Sequence, residues 1–351
     1  MSLSVPALSD ETTTARRIEV SVKGKWTTVP ALAVAGKDII VKGKWIRKAV
    51  VEAEEWLETE VEDPELCVKL LKAQKSRALR ADIFTFVQKL PATSPKYNYP
   101  MERHSVAAVR ITTFKEWWEN LPQETRKNVR RSQKRDVIVE VRSFDDDLIR
   151  GIVEVNNDSP VRQKVPFSHY GKTFEQVKKD QSSFRERSDF ICAYLGQELI
   201  GFLKIVYRGQ VASILQILPR ASHHDKRPAN ALVAKAVELC EAKGISYLTY
   251  GMFNYGNKRD SPLRDFKIRN GFEEIVVPKF YVPLTMWGWL CVKMKLHRGL
   301  LGILPHGVIT AVVQARARWY DFKMSRCSSM TERPTCNRQM ERSIPPAGSK
   351  T

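Results

Sequence analysis

Three groups of residues in this chain have the types and spacing to do chemistry. The first is the loop carrying His223, His224, Lys226 and Arg227 immediately before Pro228, a residue favoured at the first helical position. A helix start presents unpaired N–H groups and the positive end of its dipole, so two adjacent cations make that mouth a candidate anion or phosphate site. A solvated basic loop is the plain alternative. The second group is RKNVRRSQKR, residues 126–135, in which six of ten residues are cationic. Such a helix buries little surface. It either joins two halves of the molecule with one face in water or lays Arg130 and Arg131 on the phosphates of a polyanion. The third is FKIRNGF, residues 266–272. Its Lys267 is suited to neutralising a phosphate, or to covering apolar surface with its stem.

Residues 210–271 hold two of these groups, and the pattern there is strand, loop, helix, strand, loop, helix. Val211, Ile214, Leu215, Ile217 and Leu218 form a branched apolar run suited to a strand buried on both faces. Leu232, Val233, Ala236, Val237 and Cys240 then step by three and four, the period of a helix with one inward stripe, closed by Gly244. Residues 247–250 resume as strand, and Leu263, Phe266 and Ile268 give a short helix stopped by Asn270 and Gly271. Upstream, residues 137–141 read as strand and residues 147–155 and 174–185 as helices. Residues 190–195, 199–206 and 211–218 read as three strands joined by Gly-Gln turns at Gly196 and Gly209, an antiparallel meander. Residues 272–284 add one or two strands. In the first part, residues 18–22 and 26–41 predict strands, 46–61 and 64–76 helices, and 82–87 and 106–111 strands. Residues 112–136 predict a helical stretch broken near Pro122.

The 351 residues allow about two domains, and 43% hydrophobic with 28% charged residues is the composition of a soluble globular protein. A net charge of +19 attracts polyanions, whether phosphate-bearing cofactors, RNA or anionic lipid, without choosing among them. The six cysteines show no close pairs and no metal-ligand spacing, which fits reduced thiols in the cytoplasm. The first residues lack the cationic and apolar segments of a secretory signal.

The order of elements, with a helix after the third hairpin strand and the closing FKIRNGF, resembles the GNAT acyltransferase fold. The two-part layout and the segment RKNVRRSQKRDVIVEV resemble the Fem-type branch. Its members pair two such domains and carry a basic helix and a late FK-x-x-x-GF signature in the second. The likeness covers residues 15–285 and is stronger from 112 onward. It implies a mixed α/β fold of two GNAT-like domains with largely antiparallel sheets flanked by helices, at 15–111 and 137–285, joined by the basic helix of 112–136. A helical extension at 286–324 and polar tails at 1–14 and 325–351 complete the division.

The resemblance implies transfer of an acyl group from a coenzyme A thioester, or of an aminoacyl group from tRNA, to an amine or hydroxyl. In GNAT enzymes the strand before the loop splays from its neighbour and holds the pantetheine arm, which corresponds here to Gln216 to Leu218. Amides of the next helix receive the pyrophosphate, corresponding to Lys226, Arg227, Ala229, Asn230 and Ala231. The usual glycine-rich phosphate loop is replaced by RASHHDKRPANA, and without glycine the backbone approaches phosphate less freely. The polar loop NNDSPVRQKVPFSHYGK, residues 156–172, lies where the fold puts its acceptor loops. There Asn157, Arg162 and Gln163 would contact substrate, Arg162 by a bidentate grip on carboxylate or phosphate. His169 would act as base, since its ordinary pKa is near neutrality, and Tyr170 would orient it. Tyr250 and Tyr255 stand near the place where GNAT enzymes keep a tyrosine as acid.

The leading expectation is an N-acyltransferase using acyl-CoA and no metal. Alternatives are an aminoacyl-tRNA-dependent transferase, with residues 126–135 holding the tRNA, and a non-catalytic RNA or membrane adaptor. Residues 286–323 contain an uncharged run of 17 residues, 299–315, with Trp287, Trp289 and Trp319 and several cations around it. That pattern suits peripheral attachment to the anionic inner face of a membrane.

Overall fold

The strand-forming segments of both halves join one sheet. A computed structural model describes residues 15–22, 25–162, 165–254 and 261–299. The first half forms β1 (Ala15–Val22), β2 (Lys25–Val34), β3 (Lys37–Lys42), β4 (Lys48–Val51), a 3₁₀ turn (Glu54–Trp56), α1 (Pro64–Lys72), β5 (Ile83–Val87) and β6 (Met101–Arg110). Then come α2 (Phe114–Asn120), α3 (Gln123–Lys134), β7 (Val137–Arg142), α4 (Asp146–Asn157) and a small ribbon, β8 (Val161–Arg162) with β9 (Val165–Pro166). Next are α5 (Phe174–Gln181), β10 (Ser188–Leu195), β11 (Glu198–Arg208), β12 (Val211–Pro219), a 3₁₀ turn (Ala221–Lys226) and α6 (Pro228–Ala242). The series ends with β13 (Tyr247–Met252), α7 (Pro262–Arg269), β14 (Glu273–Pro283) and α8 (Met286–Lys293).

The main sheet has twelve strands in the order β1-β2-β3-β4-β5-β14-β6-β13-β12-β11-β10-β7. Its pairings are antiparallel except β4 with β5 and β12 with β13. β14, the last strand of the second half, lies between β5 and β6 of the first and so links the two. In the second half the inward stripe of α6, including Leu232, Val233 and Val237, packs with Ile191, Leu203, Ile214 and Leu248. The opposite face is covered by Leu148, Ile149 and Ile152 of α4 and Val177 of α5, packed with Phe190 and Phe202. The first half has a core of its own, with Cys67 and Leu71 of α1 against Leu32, Phe84, Phe86 and Phe280.

The helix expected over 46–61 is instead β4 followed by the 3₁₀ turn. The spacing of Ala49, Val51 and Trp56 fits either period over so short a run. Parallel pairing with β5 and complete burial of Ala49 decide for strand, and the left-handed backbone of Ala53 stops it. α5 likewise ends at Gln181, short of the expected 185, because Phe184 adopts a left-handed conformation.

One irregularity in the sheet organises everything that follows. β12 and β13 pair over only three residues, from Val211 with Tyr247 to Ser213 with Thr249. Beyond them β12 stays with β11 as far as Pro219, whereas β13 shifts register toward β6, helped by Gly251 at φ +57°. Two adjacent parallel strands therefore part.

Candidate functional site

On the α6 side of this gap lies a cavity of about 730 Å³ lined by Pro219, His224, Arg227, Ala229 and Asn230, by Thr125 and Asn128 of α3, and by Asp265, Phe266 and Arg269 of α7. Arg227 has left-handed backbone and no side chain caps the start of α6. Asn230 Nδ2 donates to Asn270 Oδ1 at 3.0 Å, tying that start to the end of α7. The preceding turn is occupied by a carboxylate of the protein itself. Asp158 Oδ2 accepts from the amides of Ala221 (2.5 Å) and Ser222 (3.4 Å), and Oδ1 accepts from Ser222 Oγ at 2.6 Å. Burial pushes the Asp158 carboxyl up, but these hydrogen bonds outweigh it and hold the group below the usual carboxylate range, hence ionised.

Of the residues expected to hold a donor phosphate, Arg227, Ala229 and Asn230 line this cavity. Lys226 stands 3.5 Å from Asp225, which also pairs with Arg135 at 2.9 Å. Ala231 lines a separate hollow with Trp118 and Arg130. Leu218 is buried in the core under α4, and Gln216 accepts from Gln181 Nε2 at 2.7 Å.

The 156–172 loop spends much of its polarity internally. Arg162 donates to the carbonyls of Pro219 (2.7 Å) and Val155 (3.1 Å) and lies 4.8 Å from the Phe167 ring centre, so it clamps the end of β12 to α4. Asn157 Oδ1 accepts from the Gly171 amide at 2.8 Å. His169 packs on Phe167, with Nδ1 4.0 Å from Asp180, a carboxylate already held by Lys172. Burial, reinforced by Lys172, lowers the His169 pKa. Tyr170 is 48% exposed. Gln163 and Tyr255 lie outside the described residues.

Lys267 stands at the gap itself. Its side chain is fully buried, and Nζ donates to the carbonyl of Met252 at 2.6 Å, on the shifted end of β13, 4.7 Å from the Tyr250 ring centre. Burial lowers its pKa to about 8, and Glu55 draws it partly back up. Glu55 belongs to a second cavity, of about 250 Å³, whose lining includes Glu54, Lys89, His104, Arg208, Thr249, Gly251, Met252 and Lys279. Burial raises Glu55, with Arg208 and Lys267 opposing it, and raises Glu54 to about 7 against the hydrogen bond from the Val87 amide. It lowers Lys89 to about 7, His104 to about 4 and Arg208 to about 10. Groups of both signs, half-buried except for the exposed Glu55, line one small space, the arrangement found where proton transfer or charge recognition takes place. Apart from Lys267, these residues escaped the sequence analysis. They come from β6, β11, β13, β14, the first 3₁₀ turn and the segment after β5, and no motif joins them.

No family model matches this sequence, and no curated protein matches it. Solved structures do. FemX superposes with a TM-score of 0.53 at 11% identity, over 80% of this chain and 90% of that one. The C-terminal domain of a putative lysylphosphatidylglycerol synthetase from Agrobacterium fabrum gives 0.49 at 14% identity over 76% and 87%. A tandem GNAT protein from the clavulanic acid biosynthesis pathway gives 0.38 at 10% over 73% and 82%. The chain has the GNAT fold, as the meander, the parted parallel strands and α6 already indicate. The chain shares its fold with FemX. Among the described residues no group of His, Cys, Asp and Glu is placed to hold a metal, and no helix is long and apolar enough to cross a membrane.

Proposed function

We propose that the chain is a transferase that takes an aminoacyl group from tRNA and delivers it to an amine or hydroxyl at the gap between β12 and β13. The observation that carries this reading is the gap, with a wide cavity on one face and the buried Lys267, bonded to the Met252 carbonyl, beside it. α3 supports a tRNA donor. It buries Thr125, Val129 and Ser132 and leaves Lys127, Arg130, Arg131 and Lys134 exposed next to the cavity lined by Thr125 and Asn128. In the 126–135 run, among the described residues, Arg135 alone is ion-paired. The Asp158 carboxylate on the amides of Ala221 and Ser222 argues against a pyrophosphate seated on that turn. Acyl-CoA is the second reading, favoured by the open start of α6 in the cavity wall.

The chemistry needs few groups. The acceptor nitrogen or oxygen attacks the ester carbonyl and loses a proton. The carbonyl oxygen gains charge, and the terminal ribose hydroxyl leaves with a proton. Glu55, in the wall of the second cavity, is suited to take the first proton, and the Lys267 ammonium is suited to balance the oxyanion and supply the second. α8 exposes Met286, Trp287, Trp289 and Met294, with Trp45 91% exposed, which supports attachment of this face to an anionic membrane surface.

Filter binding of aminoacyl-tRNA across a salt series tests the donor. The logarithm of affinity should fall steeply with the logarithm of salt, and a K127Q/R130Q/R131Q variant should reduce that slope by about 2–3. Full thermal protection by acyl-CoA with no tRNA binding would replace this reading with the second.

A further inference from the structure

The 250 Å³ cavity gathers Lys89, Arg208 and Lys279 with Glu54 and Glu55, half-buried except for the exposed Glu55. Arg208, at the end of β11, is anchored through one terminal nitrogen, which donates to Ser213 Oγ at 2.9 Å. Ser213 in turn shares a 2.6 Å hydrogen bond with Thr249, the last residue of β13 paired with β12. That anchor fixes the plane of the guanidinium and leaves Arg208 Nε buried with no partner. A buried donor without an acceptor costs about 1–3 kcal/mol, so the fold tolerates here a group that something else can satisfy. Lys279 and Lys89 line the same space. The two carboxylates, Glu54 and Glu55, come from the covering turn, and Glu54 already accepts the Val87 amide at 2.7 Å. Glu55 shares the cavity wall with Arg208 and with Thr249 and Met252 of β13, the strand that borders the gap.

We infer that this cavity is an acceptor pocket for a small molecule carrying a compact anionic group, carboxylate or phosphate, a few bonds from its nucleophilic amine or hydroxyl. The anion seats on Arg208, with Lys279 adding charge, and the nucleophile lies beside Glu55 at the gap. The volume suits an acceptor head of roughly ten heavy atoms, a fraction of the usual drug-sized pocket. Arg is the residue suited to this task, because its planar fork meets carboxylate and phosphate oxygens in fixed geometry. The inference rests on the transferase reading for the role of the bound molecule, but not for the binding.

The test uses the full chain and three probes at matched ionic strength: inorganic phosphate, acetate and methylammonium, read by thermal unfolding. Phosphate or acetate at ten times its dissociation constant should raise Tm by about 2–3 °C, whichever fits better naming the anion. The rise should vanish in R208Q and fall in K279Q, and it should survive in the α3 variant K127Q/R130Q/R131Q. If R208Q does not fold, K279Q carries the test with a tenfold weaker anion affinity. Protection by methylammonium but by neither anion would make this a cation pocket built on Glu54 and Glu55 and overturn the inference. So would anion protection that R208Q and K279Q both retain. Loss of tRNA binding with anion protection intact would overturn the donor reading and leave this pocket standing.

Discussion

Replacing Lys267 with Met keeps the stem's packing and removes only the ammonium. The folded state lowers the Lys267 pKa from 10.5 to about 8, and that difference corresponds to about 3 kcal/mol of protonation free energy. The unfolded chain therefore binds this proton more tightly than the folded chain does, so wild-type stability should rise as pH climbs from about 8 to 10.5. Below pH 8 the charged form is retained at full cost. Part of that cost is offset by the hydrogen bond to the Met252 carbonyl, a charged bond of about 1.5–3 kcal/mol. At pH 7 these contributions oppose each other, and K267M should lie within about 2 kcal/mol of wild type. The slope is the sharper quantity, because other lysines titrate equally in both proteins. Urea unfolding at pH 7 and 10.5 should show the wild-type-minus-variant difference moving by about 2–3 kcal/mol in favour of wild type at high pH. A difference that stays flat would mean that the ammonium is not dehydrated in the folded state, and the buried-charge argument for the gap would fail. If it supplies charge to the transition state, the same variant should also lose about 100-fold or more in transfer rate while keeping its tRNA affinity.

Two further outcomes are expected. Gly271 ends α7 at φ +80°, and an added Cβ would lie 2.8 Å from Trp117 Nε1, which is itself bonded to the Asn270 carbonyl. Gly271→Ala should cost about 2–4 kcal/mol in chemical denaturation, and the same change should cost less in a chain already carrying W117L, the left-handed backbone strain remaining. A W287S/W289S double variant should lose flotation with anionic vesicles while its Tm stays within a few degrees, since both indoles are about half exposed. Equal flotation of the two proteins would remove the membrane reading.

The periodic segments of the second half were legible in the sequence because each one's neighbours reinforce it. The meander needs only short turns at Gly196 and Gly209, and α6 carries its inward stripe from Leu232 to Cys240. The N-terminal stretch around Ala49 was not legible. A four-residue strand has too few residues to show a period, and β5, which fixes it, lies more than thirty positions later.

The candidate site divides the same way. Sequence alone determined the cationic run of α3 and the basic mouth before Pro228, since each is a local concentration of charge or a helix-end signal that any fold would inherit, and it left Lys267 open between a phosphate contact and a covering stem. Only the tertiary structure decided that Lys226 turns to Asp225, that Asp158 fills the amides after β12, and that Arg162 clamps the Pro219 carbonyl. It alone gathered Glu54, Glu55, Lys89, His104, Arg208 and Lys279 around one small cavity. The physical reason is that charge is a property of a residue, whereas its removal from water depends on which distant strands close around it.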